Sequence, residues 1–185
     1  MTFMGCQALR PRAWNSECWR AWGYCSRTMT DQPRPYVSLR RTEPSDVPFM
    51  YGIGIDEASN RLAGTKPREW AEFAARWEAI LGDADGTVTR VTPRIILADG
   101  KPVGSINIFP QDDLDHVGYW IAREHWGFGI ASAALSLLLT EYRKRPLHAT
   151  TAGHNQASIQ VLVKHGFEIV SRSMTPETDR SVARE

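Results

Sequence analysis

The apolar positions change period several times between residues 36 and 174, and each change marks an element. Tyr36-Val-Ser-Leu-Arg-Arg41 alternates as a strand does, and Pro44-Ser-Asp46 opens a short helix reaching about Ile53. From Thr65-Lys-Pro67 a clearer helix follows. Trp70, Phe73, Ala74, Trp77, Ile80 and Leu81 share one stripe of it, as core residues do, and Gly82 stops it. Three strand-like runs come next, 94–98, 102–109 and 116–121, with Asp99-Gly100 as a hairpin turn between the first two. An Ala- and Leu-rich helix then runs to about Arg143, a short strand covers 146–151, a helix covers 155–165 up to Gly166, and a strand covers 167–174. The predicted order, β-α-α-β-β-β-α-β-α-β, describes one α/β (α+β) domain on a mixed sheet.

Composition narrows this picture. A chain of 185 residues, 42% apolar and 23% charged, suits one globular domain. A net charge of +1 gives no electrostatic case for nucleic acid or an anionic membrane surface as partner. No apolar run approaches the ~20 residues that span a bilayer. The ends differ from the middle. Residues 1–34 are expected to be a disordered N-terminal extension and 176–185 a polar C-terminal tail, leaving 35–175 as the folded domain. The first 28 residues hold all three cysteines (Cys6, Cys18 and Cys25), four arginines and a single acid, Glu17. Such an acid-poor stretch has a transit-peptide composition, though an unstructured extension explains it as simply. Without cysteine, the folded part has no thiol nucleophile, disulfide framework or thiolate zinc site, which suits a cytoplasmic setting. His125, His148, His154 and His165 lack metal-ligand spacing, so no metal is expected.

The candidate chemistry begins at Arg123-Glu-His-Trp-Gly-Phe-Gly-Ile-Ala-Ser-Ala-Ala134. Gly127 and Gly129 stand directly before a helix, where unpartnered N–H groups and the helix dipole favour an anion. A phosphate loop of the Walker type needs a lysine after its glycines, and none follows. A dinucleotide site wants Gly or Ala where Ser132 stands and an acid on the next strand, and 146–151 has none. The third anion weighed is the pyrophosphate of an acyl-coenzyme A.

Trp126-Gly-Phe-Gly129-Ile-Ala131 resembles the (Arg/Gln)-x-x-Gly-x-(Gly/Ala) motif of the GNAT superfamily of N-acetyltransferases, departing only at its first position. Asn155-Gln-Ala-Ser158-Ile-Gln-Val-Leu162-Val-Lys-His-Gly166-Phe167 resembles the same family's N-x-x-S-x-x-x-L-x-x-x-G-F segment. The tryptophan points to the branch with ribosomal-protein N-terminal acetyltransferases and some aminoglycoside acetyltransferases. The resemblance implies a mixed, centrally splayed sheet flanked by helices, with acetyl-CoA as co-substrate. By the same token the cofactor-binding set is Trp120, Ile121, Ala122, Arg123, Trp126, Gly127, Phe128, Gly129, Ile130, Ala131 and Asn155. Loop 123–129 would wrap the pyrophosphate, and the strand before it would line the pantetheine arm. The implied activity is acetyl transfer to a primary amine, on a protein N-terminus or a small molecule, by a monomer or homodimer.

Such transfer needs a base for the amine, whose pKa near ~10 keeps it protonated at neutral pH, and an acid for the leaving thiolate. His116 is the candidate base, because imidazole titrates near neutrality. Asp112, Asp113, Asp115 and Glu69 are rivals. Many family members carry a tyrosine acid seven positions after the Asn, where this chain has Leu162. The branch resembled implies Ser158 as the acid instead, against a plain role in the first helical turn. Family members also end in a β-hairpin whose last strand helps to wall the acceptor site. Here Met174 is followed by polar TPETDRSVARE, so either the sheet edge is open or the last strand is built unusually. These two departures keep a second reading in view, a non-catalytic acyl-CoA-binding sensor or scaffold.

Overall fold

Two tight turns organise the first half of the sheet in the computed structural model, which describes residues 2–8 and 34–174. Strands β3 (Thr92–Ala98) and β4 (Lys101–Gln111) are joined by Asp99 and Gly100, with φ of 49° and 79°. That is the left-handed pair a two-residue hairpin demands, as the Asp-Gly signal predicts. The β4–β5 turn is built the same way from Asp112 and Asp113 (φ 50° and 60°), before β5 (Leu114–Ile121). Together with β1 (Thr2–Ala8), β2 (Val37–Arg41), β6 (Leu147–Ala152) and β7 (Phe167–Met174), they form one seven-stranded sheet ordered β2-β3-β4-β5-β6-β1-β7. Neighbours from β2 to β5 are antiparallel, β5 and β6 are parallel, and β1 is antiparallel to both β6 and β7.

Strand alternation sends successive residues to opposite faces, and the two faces carry different helices. Ile95 packs with Met50, Trp77 and Ile80 under α1 (Val47–Gly54) and α3 (Trp70–Gly82). Ile96, one residue on, joins Ile106, Val117, Leu135, Leu138, Leu162 and Phe167 under α4 (Ile130–Glu141) and α5 (Gln156–Lys164). Gly104 on β4 lies opposite Ile121 of β5. A Cβ there would lie 2.3 Å from the Trp120 carbonyl oxygen, a backbone atom that cannot rotate away. Gly104→Ala is therefore expected to cost about 1–3 kcal/mol, read as a lowered denaturant midpoint at unchanged slope.

The structure departs from the sequence reading in four places. Helix α2 (Glu57–Ala63) has no counterpart in it, although Asp56 accepts from the Ser59 N–H at 2.8 Å and Gly64 ends the helix at φ 71°. The third helix begins at Trp70 with Glu69 as N-cap, so Thr65-Lys66-Pro67 precede it. The Thr65 N–H is held by the Asn60 carbonyl at 3.0 Å, which ties that segment to α2. Trp77 is core as the stripe predicts, but Trp70 is 45% exposed, set edge-to-face with Tyr51, ring centroids 5.0 Å apart. The last departure is β1. Residues 1–34 are read from sequence as a disordered extension, yet Thr2–Ala8 is an inner strand of the sheet. Residues 9–33 and the tail from 175 onward lie outside the described residues.

Candidate active site

Strands β5 and β6 barely pair. His116↔His148 is the one registered pair between these strands among the described residues. Residues directly opposite on parallel strands share a face, and the two imidazoles meet with centroids 5.5 Å apart. Phe109, opposite His116 on β4, stacks on its other side at 6.0 Å and 26°. The Phe109 ring fits there because its diagonal neighbour on β5 is Gly118, where a Cβ would stand 3.1 Å from it. His116 is 8% exposed, and its Nδ1 and the Nε2 of His148 are buried without a hydrogen-bond partner. Burial lowers the His116 pKa below its ordinary 6.5 and the neighbouring His148 lowers it further, against smaller opposing effects of Asp112 and Asp115. The ring is thus kept neutral, able to accept a proton.

The rival bases are placed differently. Asp115 points to the opposite face, where Lys144 Nζ (2.6 Å), the Tyr142 hydroxyl (2.8 Å) and Arg90 (3.5 Å) surround its carboxylate. The Lys144 hydrogen bond, with help from Tyr142 and Arg90, holds its carboxyl below the ordinary 3.8 despite burial. Tyr142, half-buried and donating to that carboxylate, is pushed up to about 12. Asp115 is a structural anchor between β5 and the chain after α4. Lys144 and Arg90 are 65% and 46% exposed and return to water when it is lost, so Asp115→Asn is expected to cost only about 1–2 kcal/mol. A carboxyl with a depressed pKa contributes above its unfolded value. The gap between wild type and variant should therefore be full above pH 3.8 and close as pH falls through the lowered folded value. Asp112, Asp113 and Glu69 are exposed at a turn tip and a helix start.

On the face opposite the histidines, Tyr119 and Ser158 meet with hydroxyl oxygens 2.7 Å apart. Ser158 lies in the first turn of α5, but it is not the cap: Asn155 is, its Oδ1 accepting the Ser158 N–H at 3.0 Å. Leu162, at the position where many family members carry a tyrosine, is 1% exposed in the core. A tyrosine hydroxyl does reach the serine, from β5. Sequence spacing could not find it, because Tyr119 and Ser158 are 39 residues apart.

The loop after β5 is tied down at its base and open at its tip. The Ala122 N–H donates to Val103 and its carbonyl accepts from the His125 N–H, while the Ile121 carbonyl accepts from Trp126 Nε1 at 2.9 Å. Trp120 faces the other way, its indole N–H donating to the Ile53 carbonyl at 2.7 Å and fastening β5 to the end of α1. These three residues of the expected cofactor set therefore serve the scaffold through those groups. Arg123, Trp126, Gly127, Phe128 and Gly129 are exposed, while Ile130 buries its side chain and leads α4. Gly127 and Gly129 have φ of 86° and 77°, no atom lies within 4 Å of a Cβ built on either, and no side chain caps α4. A left-handed backbone, open space and an uncapped helix start fit a phosphate anion. Gly129→Ala is expected to weaken coenzyme A binding about tenfold through backbone strain of order 1–2 kcal/mol, read by calorimetric titration. Among the described residues no three His, Cys, Asp or Glu side chains are grouped to hold a metal, and no helix is long and apolar enough to cross a membrane.

Comparison with known proteins places this architecture. Residues 37–168 match the family model described as an acetyltransferase (GNAT) domain. The chain belongs to this family, and fold and site define an acetyl-CoA-dependent acetyltransferase. Among solved structures it is similar to RimJ of Mycobacterium smegmatis in complex with a coenzyme A disulfide (26% identity, 71% of this chain and 69% of that one, TM-score 0.55). It shares its fold with the aminoglycoside acetyltransferase AAC(6')-Ib in complex with coenzyme A (18%, 76% and 89%, TM-score 0.62). The same holds for RimL, a ribosomal L7/L12 alpha-N-protein acetyltransferase in complex with coenzyme A (21%, 70% and 78%, TM-score 0.57). A search of the curated proteins returns no match.

Proposed function

We propose that this protein transfers the acetyl group of acetyl-CoA directly to a primary amine, with His116 as base and Ser158 as acid. One observation carries the reading. Where the β5–β6 ladder ends, an imidazole pair lies on one face of β5 and a hydroxyl pair on the other. Acetyl-CoA supplies an activated acyl group. Gly127, Phe128, Gly129, Ile130 and Ala131 would hold its pyrophosphate through backbone N–H groups, with Arg123 beside them and Asn155 offering its amide N–H on the pantetheine side. His116 takes the proton the amine must lose, and half-buried His148 passes it outward. Ser158 gives a proton to the departing thiolate and recovers one through Tyr119. The balance is simple: a C–N bond forms, the C–S bond breaks, and one proton moves from amine to sulfur by way of the protein and solvent.

The acceptor class rests on similarity to RimJ and RimL and on the shared fold with an aminoglycoside acetyltransferase, all of which favour an amine. The test is thiol release from acetyl-CoA over a panel of N-terminal peptides and small amines. Acceptor-dependent release with an acetylated product supports the enzyme. The sensor reading draws on the leucine at the tyrosine position. Micromolar coenzyme A binding without release on any amine would establish it instead.

A further inference from the structure

Strands β6 and β7 are each antiparallel to β1, so they run parallel to one another, linked by the crossover helix α5. A parallel βαβ unit usually brings its strands together. These two are instead one strand apart, a gap of about 9–10 Å at ordinary sheet spacing. The gap is filled by Thr2–Ala8, registered to β6 from Phe3↔Ala152 to Ala8↔Leu147 and to β7 from Thr2↔Met174 to Ala8↔Phe167. Among the described residues β7 ends the sheet, with β1 as its one strand neighbour. Its hold on the sheet therefore runs through β1.

We propose that the space between β6 and β7 is a strand-binding slot, with residues 2–8 of this chain as its occupant. The slot takes an extended peptide of about seven residues, antiparallel to both walls and recognised through its main chain. Within the sheet it takes the place beside β7. Between Ala8 and Val37 lie 28 residues, and five strand spacings, about 24 Å, separate β1 from β2 across the sheet. The connection is long enough for the strand to be donated within one chain. Occupancy has a functional side, since Gln7 is paired with His148 and β6 runs on to the Asn155 cap. The strand thus backs the wall that carries the second imidazole.

The decisive experiment separates the strand from its domain after folding. A specific protease site is placed between residues 28 and 29 of the full chain, the folded protein is cut, and the products are run on native size exclusion. The N-terminal fragment should co-elute with residues 29–185 and separate only in denaturant. In an inner strand every N–H serves one neighbour or the other, so Met4→Pro removes a ladder bond whichever way it points. In the uncut chain this variant should raise amide exchange about tenfold or more in 147–152 and 167–174 and leave 92–98 and 101–111 unchanged. The cut experiment uses the native strand, so it decides even where the proline variant does not fold. Release of the fragment on cutting, with exchange in 147–152 and 167–174 as slow as before, would overturn the slot. Acetyltransferase activity enters neither readout, so the slot and the catalytic proposal stand or fall apart.

Discussion

Replacing His116 by glutamine should lower kcat/KM by about a hundredfold or more, with coenzyme A affinity unchanged. The imidazole is 8% exposed and has an unpartnered Nδ1, so its substitution removes an acceptor no nearby carboxylate replaces. Asp115 is held by Lys144 and Tyr142, and Asp112 and Asp113 stand at an exposed turn. The pH profile tests the role further. Because the His116 pKa lies below 6.5, the acid limb of kcat/KM should fall below pH 6.5, apart from the limb an acceptor amine contributes at ~8–10. His148→Gln removes one of the two causes of the lowered value, so its acid limb should move up toward 6.5, with a loss of about tenfold or less. His116→Gln should abolish that limb. Stability carries the same signature. Between its lowered folded value and 6.5 the folded state binds fewer protons at His116 than the unfolded one, so stability rises with pH across that window and should flatten in the variant. A variant within twofold of wild-type turnover would remove His116 from the mechanism.

Much of the scaffold is local in sequence, and that part is legible. Asp99-Gly100 fixes a hairpin by its own torsions, Asn155 and Gly166 bracket α5, and the glycines before α4 mark a left-handed loop. Helix α2 carries good end signals in Asp56 and Gly64, but Ala58, Leu62 and Ala63 are too few apolar positions to show a period. What sequence cannot show is pairing between distant strands. The imidazole pair forms because β5 and β6 meet at a single register point, 32 residues apart along the chain. The sequence TFMGCQA has no alternation, and its partners lie about 145 and 165 residues away. Trp70 shows the converse limit: a helical stripe tells which residues share a face, and not where the packed surface beneath that face ends.

Ser158→Ala separates chemistry from helix capping. The cap runs from Asn155 Oδ1 to the Ser158 N–H, which alanine keeps, and alanine favours a helix interior over serine. The helix should therefore hold, with unfolding free energy within about 1 kcal/mol of wild type, the worth of one hydroxyl hydrogen bond. Turnover should nonetheless fall about a hundredfold, because the thiolate, with a conjugate acid near ~8.5, loses its proton donor. Tyr119→Phe keeps the ring packed against the core and removes the partner hydroxyl 2.7 Å from Ser158. A loss of about tenfold is expected, since serine remains but must recover its proton from water. If the two hydroxyls work as one unit, the double variant will be no slower than Ser158→Ala alone. Multiplying effects would mean that they act separately, with Tyr119 only placing the substrate. Full turnover in Ser158→Ala would return Ser158 to a plain place in the first turn of α5 and move the acid to another group, while the fold would stand.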